Sequence, residues 1–152
     1  MADTQPLIWV HDDALGAEQP IFRQYPDAPA AYVFDDAVID YRGYGIKRLG
    51  FISECLADLA VDTYRGDTVA ALKALAADNG TKTIAMMATP CPALKEIARE
   101  LTETLTVKQI PNTPLVLLTE EPDLKRFSRY WRQAQKSAFN SAELPLFKRP
   151  VP

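Results

Sequence analysis

Residues Lys47 to Thr68 read KRLGFISECLADLAVDTYRGDT, and three different patterns follow one another within them. Counting from Ile46, apolar side chains recur at Leu49, Ile52, Cys55, Leu56 and Leu59, the spacing that turns one face of an α-helix toward a core. Val61-Asp62-Thr63-Tyr64 is a short β-branched and aromatic run of strand type. Arg65-Gly66-Asp67-Thr68 closes the stretch: glycine makes the turn, and Asp67 is placed to cap the next helix. Helix, strand, turn and helix in so few residues is the repeating unit of a parallel α/β sheet.

The same alternation extends in both directions. Upstream, Leu7-Ile8-Trp9-Val10 is a continuous apolar run of the kind a central parallel strand shows. A short helix is expected from Glu18 to Gln24, stopped by Pro26, and Pro29 to Phe34 reads as a second buried strand. Tyr41-Arg42-Gly43-Tyr44-Gly45 reads as loop. Downstream, Asp67 caps a helix running to Asn79, with Val69, Leu72, Leu75 and Ala76 inward and Gly80 as its stop. Lys82 to Met87 is a fourth strand. Thr89-Pro90 has the form of an N-cap followed by proline at the first helical position, and Leu94, Ile97, Ala98 and Leu101 mark that helix's buried face. Leu105 to Ile110 is a fifth strand, Pro111 to Pro114 a turn, and Leu115 to Leu118 a short apolar piece. A last helix is expected from near Pro122, packing Leu124, Phe127, Trp131 and Ala134. Residues 1–140 thus form one α/β domain, followed by a tail (141–152) with Pro145, Pro150 and Pro152.

Five strands alternating with helices give a three-layer α/β/α sandwich around a Rossmann-like parallel sheet, with strand order 3-2-1-4-5 as the commonest right-handed solution. That order puts a ligand crevice between the carboxyl ends of strands one and four. His11, Asp12 and Asp13 lie on one side of it, and Ala88, Thr89 and Cys91 on the other. His11, Asp12, Asp13, Thr89 and Cys91 are therefore the candidate cofactor-binding residues. The polar trio reads more readily as serving the turn after the strand, and Cys91 as packing more readily than as a thiolate activated by a helix N-terminus. Arg65-Gly66-Asp67-Thr68 could receive an anion at a helix start, but a tight turn with an N-cap accounts for it as well.

With 152 residues, 47% hydrophobic and 24% charged, the chain has the make-up of one globular domain with a real core. No apolar run approaches the roughly 20 residues that span a bilayer, and no signal-peptide pattern opens the chain, so a cytoplasmic location is the expectation. Two cysteines, Cys55 and Cys91, make no disulfide framework, and one histidine leaves little for a transition-metal site. The net charge of −3 is uneven. From Lys125 onward there are seven Lys/Arg and one acid, Glu143, so the rest of the chain is strongly acidic and a poor partner for nucleic acid. The basic helix around Arg126, Arg129, Arg132 and Lys136, interleaved with Phe127, Tyr130 and Trp131, reads more readily as amphipathic packing than as a nucleic-acid surface.

Several of these segments, in the same order, resemble the N-terminal α/β domain of DNA photolyases and cryptochromes. The likeness covers Leu7 to Ala138. It rests on Trp9, Asp13 and Pro20 near the first strand, on Tyr32-Val33-Phe34-Asp35, and on the Lys/Arg start leading into Phe51, Glu54, Leu56 and Leu59. Arg65-Gly66-Asp67 and the segment Lys125 to Arg132 complete it. His11 stands where the family has arginine. The resemblance implies an antenna-chromophore domain tied to DNA repair or light response, with no catalytic residues of its own. Family members that hold a folate have a carboxylate-rich segment after strand four. Here Ala88 to Ala93 has none, so folate is not implied, whereas a flavin or deazaflavin remains open. The chain stops where the family's flavin-binding half would begin, so FAD of the catalytic type and repair activity are not expected of it. The face left by that half would be covered by a second copy or a separate protein, including a separately encoded flavin-binding chain. Direct DNA binding and membrane association are not implied. The alternative reading, from the residues alone, is a small Rossmann-like nucleotide-binding protein or hydrolase using His11, Asp12 and Asp13.

Overall fold

The computed structural model describes residues 5–114, 116, 118 and 120–138. Leu115 and Leu117 of the expected apolar piece, and the proline-containing tail, lie outside the described residues. Two compact units are present, one ending at Asn112 and the other beginning at Thr113.

In the first unit the elements follow as β1 (Leu7–Val10), α1 (Pro20–Gln24), β2 (Ala30–Phe34), α2 (Asp36–Arg42), α3 (Ile46–Ala57), β3 (Asp62–Arg65), α4 (Thr68–Asp78), β4 (Thr83–Met87), α5 (Pro92–Leu101) and β5 (Thr106–Ile110). All five strands are parallel, in the order β3-β2-β1-β4-β5. β1, β2 and β4 are almost wholly buried, which is why they read as unbroken apolar runs. The alternating side chains of these strands feed two cores. Leu7, Trp9, Ile84 and Met86 pack with Val69 and Leu72 of α4 and Leu94 and Leu101 of α5. Ile8, Val10, Tyr32 and Met87 pack on the other face with Ile21 of α1 and Ile52 and Leu56 of α3. The three-layer sandwich read from the sequence is the fold of this unit. Each fully buried side chain of the size of Ile52 or Leu72 contributes about 1.5–3 kcal/mol of transfer free energy.

Several local expectations need correction. α2 replaces the first half of the expected loop. Its N-cap is Asp35, whose carboxylate accepts from the Ala37 N–H at 3.0 Å, and Gly43 ends it in the left-handed region at φ 64°. Only Gly43 to Gly45 link α2 to α3. Ile46 is 82% exposed rather than buried, because it occupies the first helical position after the Gly45 cap, and the inward stripe is carried by Ile52 and Leu56. α5 starts at Pro92, not Pro90. A residue before proline is driven out of the helical region, and Cys91 is accordingly extended (φ −65°, ψ 120°), so the helix starts two residues later.

In the second unit α6 spans Phe127–Ala138, starting five residues after Pro122. Leu124 therefore precedes the helix and is exposed, as is Phe127, whose ring stacks on Trp131 at 5.9 Å instead of entering a core, while Ala134 is buried. Among the described residues no helix is long and apolar enough to cross a membrane.

Candidate functional site

β1 connects through α1 to β2 on one side, whereas its other neighbour is β4. The carboxyl ends of β1 and β4 thus flank the point where the sheet changes winding direction, the usual crevice of such sheets. His11 follows β1 directly and is 2% exposed. Its Nε2 lies 2.8 Å from the Met87 carbonyl at the end of β4, so the ring bridges the two strand ends. A carbonyl only accepts, so Nε2 carries the hydrogen and Nδ1 is left as an acceptor. That Nδ1 is buried and has no partner. Burial holds the imidazole below its ordinary range, with the Met87 bond and the two aspartates opposing the shift only in part.

Asp12 turns into the protein, its side chain 3% exposed. It accepts from Arg42 Nη2 at 2.9 Å and from the Tyr44 hydroxyl. Asp13 accepts from the same Arg42 nitrogen at 2.5 Å and from Thr89 Oγ1. Burial alone would raise the Asp13 carboxyl, but the Thr89 and Arg42 hydrogen bonds, with the Arg42 charge, outweigh it and hold Asp13 below the usual carboxylate range. The Arg42 guanidinium resists deprotonation: burial works against its charge, and the bond to Asp13 and the charge of Asp12 prevail. Tyr44 is pushed up to about 12 by burial and by its bond to the Asp12 carboxylate. Arg42 Nε is buried without a partner. The guanidinium lies 5.7 Å from the Tyr44 ring centre, and Arg48 lies 5.6 Å from the same ring and 5.2 Å from that of Phe51.

Thr89 serves both sides of the crevice: its hydroxyl donates to Asp13 and accepts from the Cys91 N–H at 3.0 Å. Cys91 is 4% exposed and belongs to the core beneath α5. His11, Asp12, Asp13 and Thr89 are therefore brought together as the strand order implied, with Cys91 below them.

Arg42 and Tyr44 escaped the sequence reading, since both sit in what looks like loop. The signal was indirect: two adjacent aspartates entering a buried strand end require a cation and donors from elsewhere in the chain. The Arg65-Gly66-Asp67-Thr68 turn proves self-sufficient. Asp67 accepts from the Ala70 N–H at 2.7 Å, and the Thr68 N–H and hydroxyl donate to Asp35 at 2.8 and 2.9 Å, so an internal carboxylate already occupies this helix start. Compared with known proteins, the chain matches no family model and no curated protein.

Proposed function

We propose that this protein is a ligand-binding α/β module without catalytic residues, related to the antenna domain of photolyases and cryptochromes. On this reading it holds a small planar heteroaromatic molecule, of flavin, deazaflavin or nucleobase type, between the ends of β1 and β4. One observation carries the reading. Among the described residues two buried side-chain polar atoms are without a hydrogen-bond partner, and both, His11 Nδ1 and Arg42 Nε, belong to side chains of this strand-end cluster. Buried polar groups are nearly always satisfied, and leaving one unpaired costs about 1–3 kcal/mol. One is an acceptor and the other a donor. A ring edge that alternates N–H and C=O offers the complement to both, and the Tyr44 ring lies beside the Arg42 guanidinium. By the same resemblance, the function served is light response or DNA repair.

A hydrolase using His11, Asp12 and Asp13 is less favoured. Both carboxylates are ion-paired to Arg42, and burial makes His11 a weak base. The test is the absorbance spectrum of the purified protein, joined to thermal-shift titrations with riboflavin, a deazaflavin, folate and AMP. A chromophore band beyond tryptophan absorption, or a rise in Tm of about 5–10 °C at a hundredfold excess over Kd, is expected for one of the isoalloxazine, deazaflavin or nucleobase compounds. His11→Phe should abolish it. No band, and no Tm change with any of the four, would reject the reading.

A further inference from the structure

An open cavity of about 250 Å³ is lined by Phe22, Tyr25, Pro26, Asp58, Leu59 and four alanines. Of these alanines, Ala30 opens β2 and Ala60 precedes β3, so the cavity lies at the amino ends of the strands, at the opposite end of the sheet from His11. Phe22 and Tyr25 are half-buried and pack against the core beneath α1 and α3, which fixes their positions. Sites for drug-sized ligands run to about 300–1,000 Å³, so this one matches a smaller molecule. Its surroundings are negative. Asp58 is the C-cap of α3, whose last turn carries no basic residue, so the negative end of that helix dipole is uncompensated beside the cavity. Glu18 and Asp27, each next in sequence to a lining residue, are exposed, and Arg23, beside Phe22, is the opposing charge. Three carboxylates against one guanidinium leave a negative excess, and among the described residues none of the four forms an ion pair.

We infer that this cavity binds a small, free quaternary ammonium compound of the choline type. Aromatic rings attract cations, and aromatic-lined cavities suit quaternary ammonium groups in particular. Among the lining side chains only the Asp58 carboxylate and the Tyr25 hydroxyl are polar, and that hydroxyl already accepts from Gln24 Nε2 at 3.1 Å. A primary ammonium brings three donors and a guanidinium five. Removing their water without enough acceptors to replace it is costly. A quaternary ammonium brings no donor, and its methyl groups meet the apolar surfaces of Phe22, Pro26 and Leu59 while its charge faces Asp58 and the end of α3. A neutral molecule of the same shape forgoes both attractions. An attached phosphate meets the acidic surround, which sets a phospholipid headgroup below the free compound. The site stands apart from the His11 cluster and holds whether or not a ring binds there.

Amide-shift titrations by NMR on the wild-type chain test this with three probes: choline, phosphocholine, and neohexyl alcohol, in which carbon replaces the choline nitrogen. Choline should move the amides of Tyr25, Asp58, Leu59 and Ala60 and bind about tenfold more tightly than neohexyl alcohol. Phosphocholine should bind more weakly than choline. Phe22→Leu keeps an apolar side chain and removes the ring, and Asp58→Asn removes the charge; each should weaken choline binding about fivefold with an unchanged circular dichroism spectrum. If Phe22→Leu does not fold, the comparison of choline with neohexyl alcohol on the wild type decides alone. No shift with choline, shifts confined to other residues, or equal affinity for choline and the alcohol overturns the proposal. So does phosphocholine binding as tightly as choline, or choline affinity that both folded variants leave intact.

Discussion

Replacing Arg42 by methionine tests whether the strand-end cluster is held by its one cation. Methionine keeps much of the length and apolar stem and removes the charge and its donors. In the wild type one guanidinium nitrogen serves Asp12 at 2.9 Å and Asp13 at 2.5 Å, with Asp12 3% and Arg42 22% exposed at their side chains. Taking one partner from a buried ion pair costs about 3–5 kcal/mol, since the charge left behind is still desolvated. Asp12 keeps the Tyr44 hydroxyl and Asp13 keeps Thr89 and some water, so the lower end, about 3 kcal/mol, is expected here. That is a large share of the 5–15 kcal/mol typical of a domain. It corresponds to a midpoint lowered by about 1–2 M in urea with an unchanged slope, or a Tm lowered by about 6–12 °C. The double variant Asp12→Asn/Arg42→Met distinguishes charge from packing: without the orphaned carboxylate, a good part of the loss should return, as a double-mutant cycle would report. A loss in Arg42→Met below about 1 kcal/mol, the range of exposed ion pairs, would refute the argument. So would a double variant as unstable as the single one.

Three further outcomes follow from the same geometry. Burial holds His11 below its usual value, so the unfolded chain takes up the proton first as pH falls below about 6.5. Stability is then full above that value and declines as pH drops through the window between the unfolded and folded values, by up to about 1.4 kcal/mol per pH unit. His11→Phe should flatten this slope in urea titrations at neutral and mildly acid pH, and an unchanged slope would remove His11 as its source; Asp13 acts only lower, within the carboxylate range. Gly43→Ala should cost about 1 kcal/mol by urea denaturation, although an added Cβ meets no atom within 4 Å, because the penalty lies in φ 64° alone; a neutral result would contradict it. Riboflavin should bind at least as tightly as its phosphate by isothermal calorimetry, for the electrostatic reason developed below, and tighter binding of the phosphate would count against that reason.

What was legible in the sequence, and what was not, divides along the range of the interactions involved. β1, β2 and β4 declare themselves because burial on both faces leaves no polar position to interrupt them. Asp67 and Gly80 bracket α4 by local chemistry, the first capping at 2.7 Å and the second at φ 63°. α2 carries no such stripe: it has no buried residue, and only its caps, Asp35 and Gly43, betrayed it. The start of α5 was missed by two residues because Thr-Pro and Cys-Pro compete, and the second proline excludes residue 91 from the helix. The meeting of His11, Asp13 and Thr89 at the ends of β1 and β4 followed from strand order, a topological rule that needs no side-chain detail. Arg42 and Tyr44 lie about thirty positions from the aspartates they meet. Nothing local marks them, since their role arises only when α2 is laid back over the end of β1.

The charge balance of that crevice bears on what could enter it. Asp12 and Asp13 are matched by one guanidinium, and His11, Thr89 and Tyr44 add no charge in their favoured forms, so the cluster keeps a negative excess. A phosphate brought to within about 4 Å of an uncompensated carboxylate meets a repulsion of about 4 kcal/mol at an effective dielectric constant near 20. Lys47 and Arg48 are exposed, so salt screens whatever attraction they offer from the corner. Phosphate recognition therefore gains nothing here, in contrast to sheets that place a glycine-rich turn and a helix start at the same point. What the cluster has besides its charges is the Nδ1 lone pair of His11 and the Tyr44 ring, beside the remaining N–H of a guanidinium whose charge is already spent on the aspartates. On the binding function proposed above, a site of that composition would favour a flat, neutral ring edge and leave an anionic tail in solvent.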